Sequence, residues 1–275
     1  MYAVEHAPYT ASAALIGYHI RALGPFWTGK KLSEITAKNC RAYARQRMKK
    51  VKEATARREL ETLGAALRWC HKEKGLPLTL VTLPDKGNPR ERWLTRDEVA
   101  RLLWAARSHE NHHLCRFILI GLYTGTRHAA ILRLQWSANT TGGWVDLERG
   151  VLYRRGTAQK ETRKRQPPVR LPDRLAAHMR RWKRLDMGIG HIVHWHGEPI
   201  RKERRAWERA RIAAKLGEDV TPHTLRHSCA TWLMHKAVPI WEAAGYLGMS
   251  EKMLSDVYGH HSPDFQKAAA DAFRR

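Results

Sequence analysis

The stretch Thr221–His261, TPHTLRHSCATWLMHKAVPIWEAAGYLGMSEKMLSDVYGHH, predicts both the fold and the chemistry of this chain. It begins with His223-Thr224-Leu225-Arg226, and on a helix an imidazole and a guanidinium three residues apart lie side by side on one face. It closes with Tyr258, in a segment whose apolar spacing predicts a short helix. A histidine, an arginine and a tyrosine are three of the groups needed to transfer a phosphodiester to a protein hydroxyl.

The composition predicts a polyanionic partner. The chain has 275 residues, enough for two domains, and contains 50 Lys and Arg against 26 Asp and Glu, a net charge of +24. The excess is spread over most of the length, which favours nucleic-acid binding over an ordinary solvated basic surface. No apolar run approaches the roughly 20 residues needed to span a bilayer, so we expect no membrane partner.

The cysteines predict no metal site, because they are scattered without CxxC spacing. The sequence also lacks a GxxxxGK[ST] loop and an N-terminal signal-peptide pattern. We therefore expect a reduced cytoplasmic protein, associated with the nucleoid if its partner is DNA, that uses no metal and no cofactor.

Residues 1–85 predict a helical domain. The amphipathic stretch Ala11–Leu23 is predicted to stop at Gly24-Pro25, Thr36 is a good N-cap for a second helix, and a longer helix ends before Gly75. The longer helix carries cations opposite its apolar stripe, which either face phosphates or form an ordinary solvated surface. These cations are Arg57, Arg58, Arg68 and Lys72.

A proline-rich segment separates this domain from a second one. Pro77, Pro84 and Pro89 cannot all lie inside one helix, and we place the linker at residues 86–93. The second domain is predicted to span residues 94–275.

The second domain begins with a capping box, Thr95-Arg96-Asp97-Glu98. A buried helix over residues 113–123 then runs into Thr124-Gly125-Thr126-Arg127. This order places Arg127 just after a glycine break and near a helix N-terminus, where backbone N–H groups favour an anion.

The apolar period changes to two from Trp144 onward. Trp144–Leu147 and Val151–Arg154 predict a hairpin, and Val169–Pro172 predicts a third strand. The cationic loop GTAQKETRKRQPP before the third strand either reaches into a nucleic-acid groove or serves solubility alone. The predicted DNA contacts of this domain are Arg163, Lys164 and Arg165 in that loop and Arg204 and Arg205 in a later basic helix. The fold class is therefore mainly α with a small antiparallel β-sheet.

Opening a phosphodiester without water or metal requires a nucleophile, a proton donor for the leaving 5′ oxygen and fixed positive charge at the non-bridging oxygens. Tyr258 can supply the nucleophile. Arg127 and Arg226 can supply the charge, because a guanidinium grips phosphate oxygens in a planar fork. His223 can orient the tyrosine or take its proton. Either Lys160 or Lys164 of the cationic loop can act as the proton donor.

The order of these residues resembles the tyrosine recombinase, or phage integrase, family. The most specific parts are Thr124–Arg127, Pro222–His227, Leu247-Gly248 and Tyr258-Gly259-His260. The resemblance covers nearly the whole chain and implies a helical, SAM-like core-binding domain followed by an α+β catalytic domain of the tyrosine recombinase type. It implies a site-specific DNA recombinase that integrates or excises a phage or mobile element without ATP or metal.

Carried over residue by residue, the resemblance makes Tyr258 the nucleophile that forms a 3′-phosphotyrosyl link. It makes Arg127 and Arg226 phosphate clamps and His223 the histidine of the HxxR motif. Lys160 matches the hairpin lysine of the family, because it heads a K-x-T-x-K run that leads into the third strand.

One position departs from the family pattern. The family commonly has His or Trp directly after Leu-Gly, where this chain has Met249. A thioether cannot donate a hydrogen bond to phosphate, although it can pack like the flat face of a Trp. We expect the site to tolerate packing alone; otherwise His260 compensates in part, or the enzyme is slow.

The leading hypothesis is a tetramer that acts on paired double-stranded DNA sites, with Phe265–Phe273 as a candidate subunit contact and a DNA-bending accessory protein as a further candidate partner. A DNA-binding module without chemistry would leave Arg127, Lys160 and Tyr258 unexplained as a set. Three further hypotheses are a decayed integrase, a Xer-like chromosome resolvase and a type IB topoisomerase. Because helical signals begin almost at Met1, we expect a short or truncated form without an arm-binding domain.

Overall fold

The computed structural model describes residues 1–87, 92–108, 112–159, 165–263 and 265–272, except for the side chains of residues 268 and 269. The chain divides into two compact units, Met1–Pro89 and Arg90–Arg275. Helices dominate both, and the strands are short and antiparallel. The predicted fold class, mainly α with a small antiparallel sheet, is confirmed. Within the described residues, every helix is too short or too polar to cross a membrane.

The first unit is built from helices. They are α1 (Tyr2–Glu5), α2 (Ala13–Trp27), α3 (Ala37–Met48) and α4 (Glu53–Lys74). Thr36 caps α3 as predicted, because its side chain accepts a hydrogen bond from Asn39 N at 3.3 Å. Gly75 ends α4 with a φ of 67°, the left-handed conformation that the sequence predicts there.

Helix α2 continues through Pro25, so the prediction that it stops at Gly24-Pro25 is wrong. A proline inside a helix removes one hydrogen bond and crowds the carbonyl four residues earlier. Pro25 lies in the last turn, where little helix follows it. The next two residues, Phe26 and Trp27, pack against Tyr43 with ring centroids 5.5 and 6.0 Å away. This packing favours the helical form of the last turn.

Tyr43 lies at the centre of the first unit's core. It is buried together with Leu60 of α4, and its hydroxyl donates a hydrogen bond to Glu59 Oε2 at 2.6 Å. Arg47 pairs with the same carboxylate at 2.7 Å, so the buried charge of Glu59 is compensated. Val81, in the irregular segment after α4, packs on this cluster. The start of the proline-rich segment therefore belongs to the first unit.

The second unit contains the remaining helices. They are α5 (Arg96–Ser108), α6 (His112–Thr124), α7 (His128–Ile131), α8 (Asp173–Leu185), α9 (Arg204–Ala213), α10 (Thr224–His235), α11 (Ile240–Leu247), α12 (Glu251–Tyr258) and α13 (Lys267–Asp271). The predicted capping box is present, since Glu98 N donates to Thr95 Oγ1 at 3.2 Å and Thr95 N donates to Glu98 Oε2 at 2.9 Å. Helix α6 is buried on most sides and packs along α10. It therefore supports the helix that carries the HxxR motif.

The predicted hairpin and third strand form one antiparallel sheet. Its strands are β1 (Trp144–Asp146), β2 (Val151–Tyr153) and β3 (Val169–Arg170), in the order β1-β2-β3. Val145 pairs with Leu152, which pairs with Val169, and these buried residues join the main core. A second hairpin, β4 (His194–Trp195) and β5 (Glu198–Pro199), was not predicted. Two residues in each strand are too few to show a period of two.

Gly125 ends α6 and reverses the chain toward Arg127. Its φ of +60° is the left-handed conformation, and a Cβ at this position would collide with Cδ2 of Leu247 and lie 3.4 Å from Sγ of Cys229. Glycine is therefore required here both by the backbone and by the close approach of α10 and α11.

We predict that Gly125→Ala is much more destabilising than Gly150→Ala. Gly150 has nearly the same φ, +64°, but open space where a Cβ would lie. Gly150→Ala should cost about 1–2 kcal/mol for the left-handed backbone, and Gly125→Ala about 2 kcal/mol more, because of overpacking. Urea denaturation of the two variants measures the difference. Equal losses would show that the backbone conformation alone requires glycine at residue 125.

Candidate active site

Tyr258 is the last residue of α12. Ser250 caps this helix by accepting a hydrogen bond from Met253 N at 3.2 Å, and Leu254 anchors it in the core. Tyr258 is itself buried, with 6% of its surface exposed. A hydrogen bond of 2.5 Å joins its hydroxyl to Nδ1 of His227. Burial raises the pKa of Tyr258 to about 12, and the nearby charge of Arg226 opposes this rise.

Helix α10 places Arg226 near Tyr258. The helix starts at Thr224, whose hydroxyl accepts a hydrogen bond from Thr221 N at 2.9 Å, and Arg226 follows in its first turn. Nη1 of Arg226 donates to the carbonyl of Gly125 at 2.6 Å, whereas Nη2 is buried and has no hydrogen-bond partner among the described residues. Burial and the charges of Arg127 and Arg154 lower the pKa of Arg226 to about 10.

Arg127 lies just after Gly125, at the start of α7. Its guanidinium donates to the carbonyls of Arg165, at 2.8 Å, and Gly248, at 3.5 Å. Burial lowers the pKa of Arg127. Gly248 permits this approach, because its φ is +65° and a Cβ there would lie 2.9 Å from the carbonyl oxygen of Arg165.

His223 lies at the N-terminal end of α10 and packs edge to face against His227, with ring centroids 4.8 Å apart and an interplanar angle of 86°. The residue keeps considerable solvent exposure. Protein atoms around the ring, together with the charges of His227 and Arg226, lower the pKa of His223 to about 4. The ring is therefore neutral at pH 7.

The structure thus brings together Arg127, His223, Arg226 and Tyr258, which are dispersed over more than 130 residues of sequence. Neighbouring positive charges and a buried phenol make a pocket that can hold an anion next to an oxygen nucleophile. Within the described residues, no group of three or more His, Cys, Asp or Glu side chains could hold a metal ion.

The sequence model of the phage integrase family matches residues 92–264. The chain is 31% identical over 214 residues to the tyrosine recombinase XerA of Thermococcus kodakarensis, an alignment that covers 75% of this chain and 72% of that protein. The chain belongs to the phage integrase family. This membership agrees with the activity class predicted from the sequence, a site-specific DNA recombinase of the tyrosine type.

Solved integrase structures have the same fold. A lambda integrase tetramer bound to a Holliday junction matches over 90% of this chain and 72% of its own, with a TM-score of 0.68 and 24% identity. The Tn1549 transposon integrase in complex with transposon right-end DNA matches over 98% of this chain and 95% of its own, with a TM-score of 0.74 and 15% identity.

His227 and Arg154 are residues of this integrase pocket to which the sequence assigned no role. His227 follows Arg226 directly and lies one helical turn after His223, so the helical period alone places it near the motif. Arg154 lies at the end of β2 and had no such signal. Its guanidinium donates to the carbonyls of Thr124, at 2.6 Å, and Tyr246, at 2.8 Å.

Arg154 therefore joins the end of α6 to α11. Nε donates to Thr126 Oγ1 at 3.0 Å and Nη1 to the carbonyl of Pro167 at 3.1 Å. Only 4% of its surface is exposed, and burial lowers the pKa of Arg154 to about 10.

Met249 and His260 are two further positions of the family motif. Met249 is half-buried and packs on the small hydrophobic cluster that contains Tyr258, and its backbone N donates to Ala244 O at 3.1 Å. His260 is exposed, and its ring lies 4.0 Å from that of His261.

The predicted DNA contacts differ in how their side chains are engaged. Arg57 donates to Glu61 at 3.0 Å and to the carbonyl of Pro84, and Lys72 lies 3.7 Å from Glu73. The exposed arginines of the predicted set are Arg58, Arg68, Arg165, Arg204 and Arg205. Lys160, Arg163 and Lys164 lie outside the described residues.

We predict that Arg154→Lys destabilises the second unit by about 3 kcal/mol. An ammonium cannot reach the oxygens of Thr124, Thr126 and Tyr246 at once, and a buried charge without its hydrogen bonds costs several kcal/mol. Arg155→Lys is the matched control, because the bond of Arg155 to Gln159 O is 3.5 Å long. Urea denaturation measures both variants. A loss below about 1 kcal/mol for Arg154→Lys would contradict this account.

The lowered pKa of His223 predicts an acid-sensitive fold. Between pH 6.5, its ordinary pKa, and pH 4, its pKa in the folded protein, the unfolded chain binds more protons at this residue. Stability should therefore fall as the pH is lowered through this window. His223→Asn removes that contribution, so the melting temperature of the variant should fall less between pH 7 and pH 4. Parallel curves for the two proteins would contradict the prediction.

Proposed function

We propose that this integrase cuts one DNA strand by attack of Tyr258 on a phosphodiester, holds it as a 3′-phosphotyrosyl link, and rejoins it to a partner strand. Phage or mobile-element integration and excision are the reactions that we infer. A cytoplasmic, nucleoid-associated location follows from that substrate.

The observation that carries this proposal is Nη2 of Arg226 beside Tyr258, for which no described residue provides an acceptor. A buried guanidinium N–H without a partner is costly, because its desolvation is not offset by a hydrogen bond. A phosphate oxygen would supply that bond, together with opposite charge. The phenol of Tyr258, which is close enough to feel the charge of Arg226, would then be next to the bound phosphorus.

The reaction follows from these positions. The Tyr258 oxygen would form a bond to phosphorus while the bond to the 5′ oxygen breaks, and the leaving oxygen would take up a proton. Arg226 and Arg127 would stabilise the charge that develops on the non-bridging oxygens. Lys160 is our candidate for the proton donor. The new ester keeps the energy of the broken one, so rejoining would require no ATP.

We infer that residue 249, where the family commonly has His or Trp, contributes to the site by packing. Its thioether cannot donate a hydrogen bond, but its contacts with the cluster around Tyr258 would help to hold α12 in place. A decayed, inactive integrase that only binds DNA is the second candidate, and the missing donor at residue 249 is the observation that favours it.

DNA binding and assembly extend the proposal. We propose that the first unit is a core-binding domain and that its exposed cations contact phosphates, as do Arg165, Arg204 and Arg205 in the second unit. The lambda integrase with the same fold is a tetramer bound to a Holliday junction, and we propose a tetramer on paired sites for this chain as well. A DNA-bending accessory protein is a further candidate partner.

We predict a covalent adduct with nicked duplex DNA that carries the sequences flanking the gene. A nick beside the cleavage site lets the short 5′ product diffuse away, so the SDS-resistant complex should accumulate. Tyr258→Phe should abolish it, and Arg226→Lys should reduce its rate by about 100-fold, the size of effect expected for one lost transition-state contact. Gel electrophoresis with labelled DNA measures both.

The two candidate functions give opposite results in this assay. Salt-sensitive binding by the wild-type protein without any adduct would contradict the recombinase and support the inactive binding protein. Binding that is equal in wild type and Tyr258→Phe is the control, because the lost hydroxyl should affect chemistry and not affinity.

A further inference from the structure

The hydroxyl of the candidate nucleophile is hydrogen-bonded to a histidine outside the predicted catalytic residues. Helices α10 and α12 bring Nδ1 of His227 to 2.5 Å from the Tyr258 oxygen. The ring centroids lie 5.8 Å apart and the planes are tilted by 45°. At this distance the phenol oxygen and Nδ1 are hydrogen-bonded, and Tyr258 is only 6% exposed.

His223 occupies a different place. Its contact with the pair is the edge-to-face packing on His227, and it lies at the solvent-exposed start of α10. The HxxR spacing puts His223 beside Arg226, on the side where the phosphate would bind. His227, one turn further along α10, is the ring that faces Tyr258.

The phenol needs an acceptor for its proton. Burial raises the pKa of Tyr258 to about 12, so at pH 7 only about one molecule in 100,000 carries the phenolate. A neutral phenol is a weak nucleophile, and a positioned base within hydrogen-bond reach typically contributes about 10²–10⁴ in rate.

We propose that His227, and not His223, takes the proton from Tyr258 as the tyrosine attacks DNA; this rests on the proposed function. The O–H bond of Tyr258 breaks and its proton moves to Nδ1 of His227. The phenol oxygen forms a bond to phosphorus, and the electron pair of the broken P–O bond leaves with the 5′ oxygen, which is protonated by the general acid or by water. When the strand is rejoined, the proton returns from His227 to the phenol oxygen.

The surrounding charges control when this transfer occurs. Among the described residues, Arg226 and Cys229 of α10 act on Tyr258, whereas Arg226, Arg127 and His128 act on His223, which packs on His227. His260 and His261 follow Tyr258 in the next turn. The arginines among them disfavour a further positive charge on His227. A bound phosphate offsets that repulsion, so the transfer is favoured once DNA occupies the pocket.

His227→Asn separates proton transfer from positioning. The side-chain amide can place an acceptor oxygen where Nδ1 lies, and so keep the hydrogen bond to Tyr258, but it cannot take the proton. His223→Asn is the matched control on the neighbouring histidine. Single-turnover adduct formation on the nicked DNA is measured from pH 5.5 to pH 9 for both variants and the wild type.

We expect the wild-type rate to rise with pH and then reach a plateau. His227→Asn should be about 10²–10⁴-fold slower at pH 7, and its rate should rise tenfold per pH unit without a plateau, because only the phenolate of Tyr258 would react. His223→Asn should be slower but keep the plateau. A plateau retained by His227→Asn, or lost by His223→Asn alone, would overturn the assignment.

A DNA-free measurement keeps this inference separate from the proposed function. We expect ¹⁵N NMR of the free protein to show the proton of neutral His227 on Nε2, with Nδ1 accepting from Tyr258, and the Nδ1 signal to shift in Tyr258→Phe. A proton on Nδ1 would overturn the inference whether or not the protein cleaves DNA. Absence of any wild-type adduct, with this tautomer present, would instead count against the proposed function.

Discussion

Two buried guanidinium groups, those of Arg226 and Arg154, set the constraint on which the second unit depends. A charge removed from water must be met by hydrogen bonds, and these arginines donate to the carbonyls of Thr124, Gly125 and Tyr246. Those carbonyls belong to the C-terminal ends of α6 and α11, where backbone oxygens have no helical partner and carry partial negative charge. Helix ends therefore stabilise the cations in place of carboxylates.

This choice of partner matters for the chemistry. A carboxylate would neutralise Arg226 and compete with an incoming phosphate, whereas a carbonyl dipole satisfies one N–H and leaves the net charge intact. Nη2 of Arg226, which no described residue engages, is the donor that a phosphate would accept from in the proposed function. Gly125 and Gly248 make the arrangement sterically feasible, since both have positive φ and both lie where a Cβ would meet neighbouring atoms.

The same burial disfavours ionisation of the candidate nucleophile. It raises the pKa of Tyr258 to about 12, and a buried phenol needs a hydrogen-bond partner. Adjacent residues of helix α10 make the two contacts. Arg226 donates to the carbonyl of Gly125, and His227 is the hydrogen-bond partner of Tyr258. The packing of α10 along α6 and against α12 therefore places the guanidinium of Arg226 and the hydrogen-bond partner of the phenol on one helix.

The sequence by itself determined the local features: the capping box at Thr95, the N-cap at Thr36, the glycine breaks, the hairpin, and the motifs that carry Arg127, His223, Arg226 and Tyr258. These features depend on the spacing of residues a few positions apart and on the backbone preferences of single residues, and both can be read directly from the sequence. It misjudged Pro25, because aromatic packing on Tyr43 outweighed the local cost of proline. Only the tertiary structure decided which histidine contacts Tyr258 and that Arg154 joins α6 to α11. Such contacts connect residues far apart in sequence, and no local pattern specifies them.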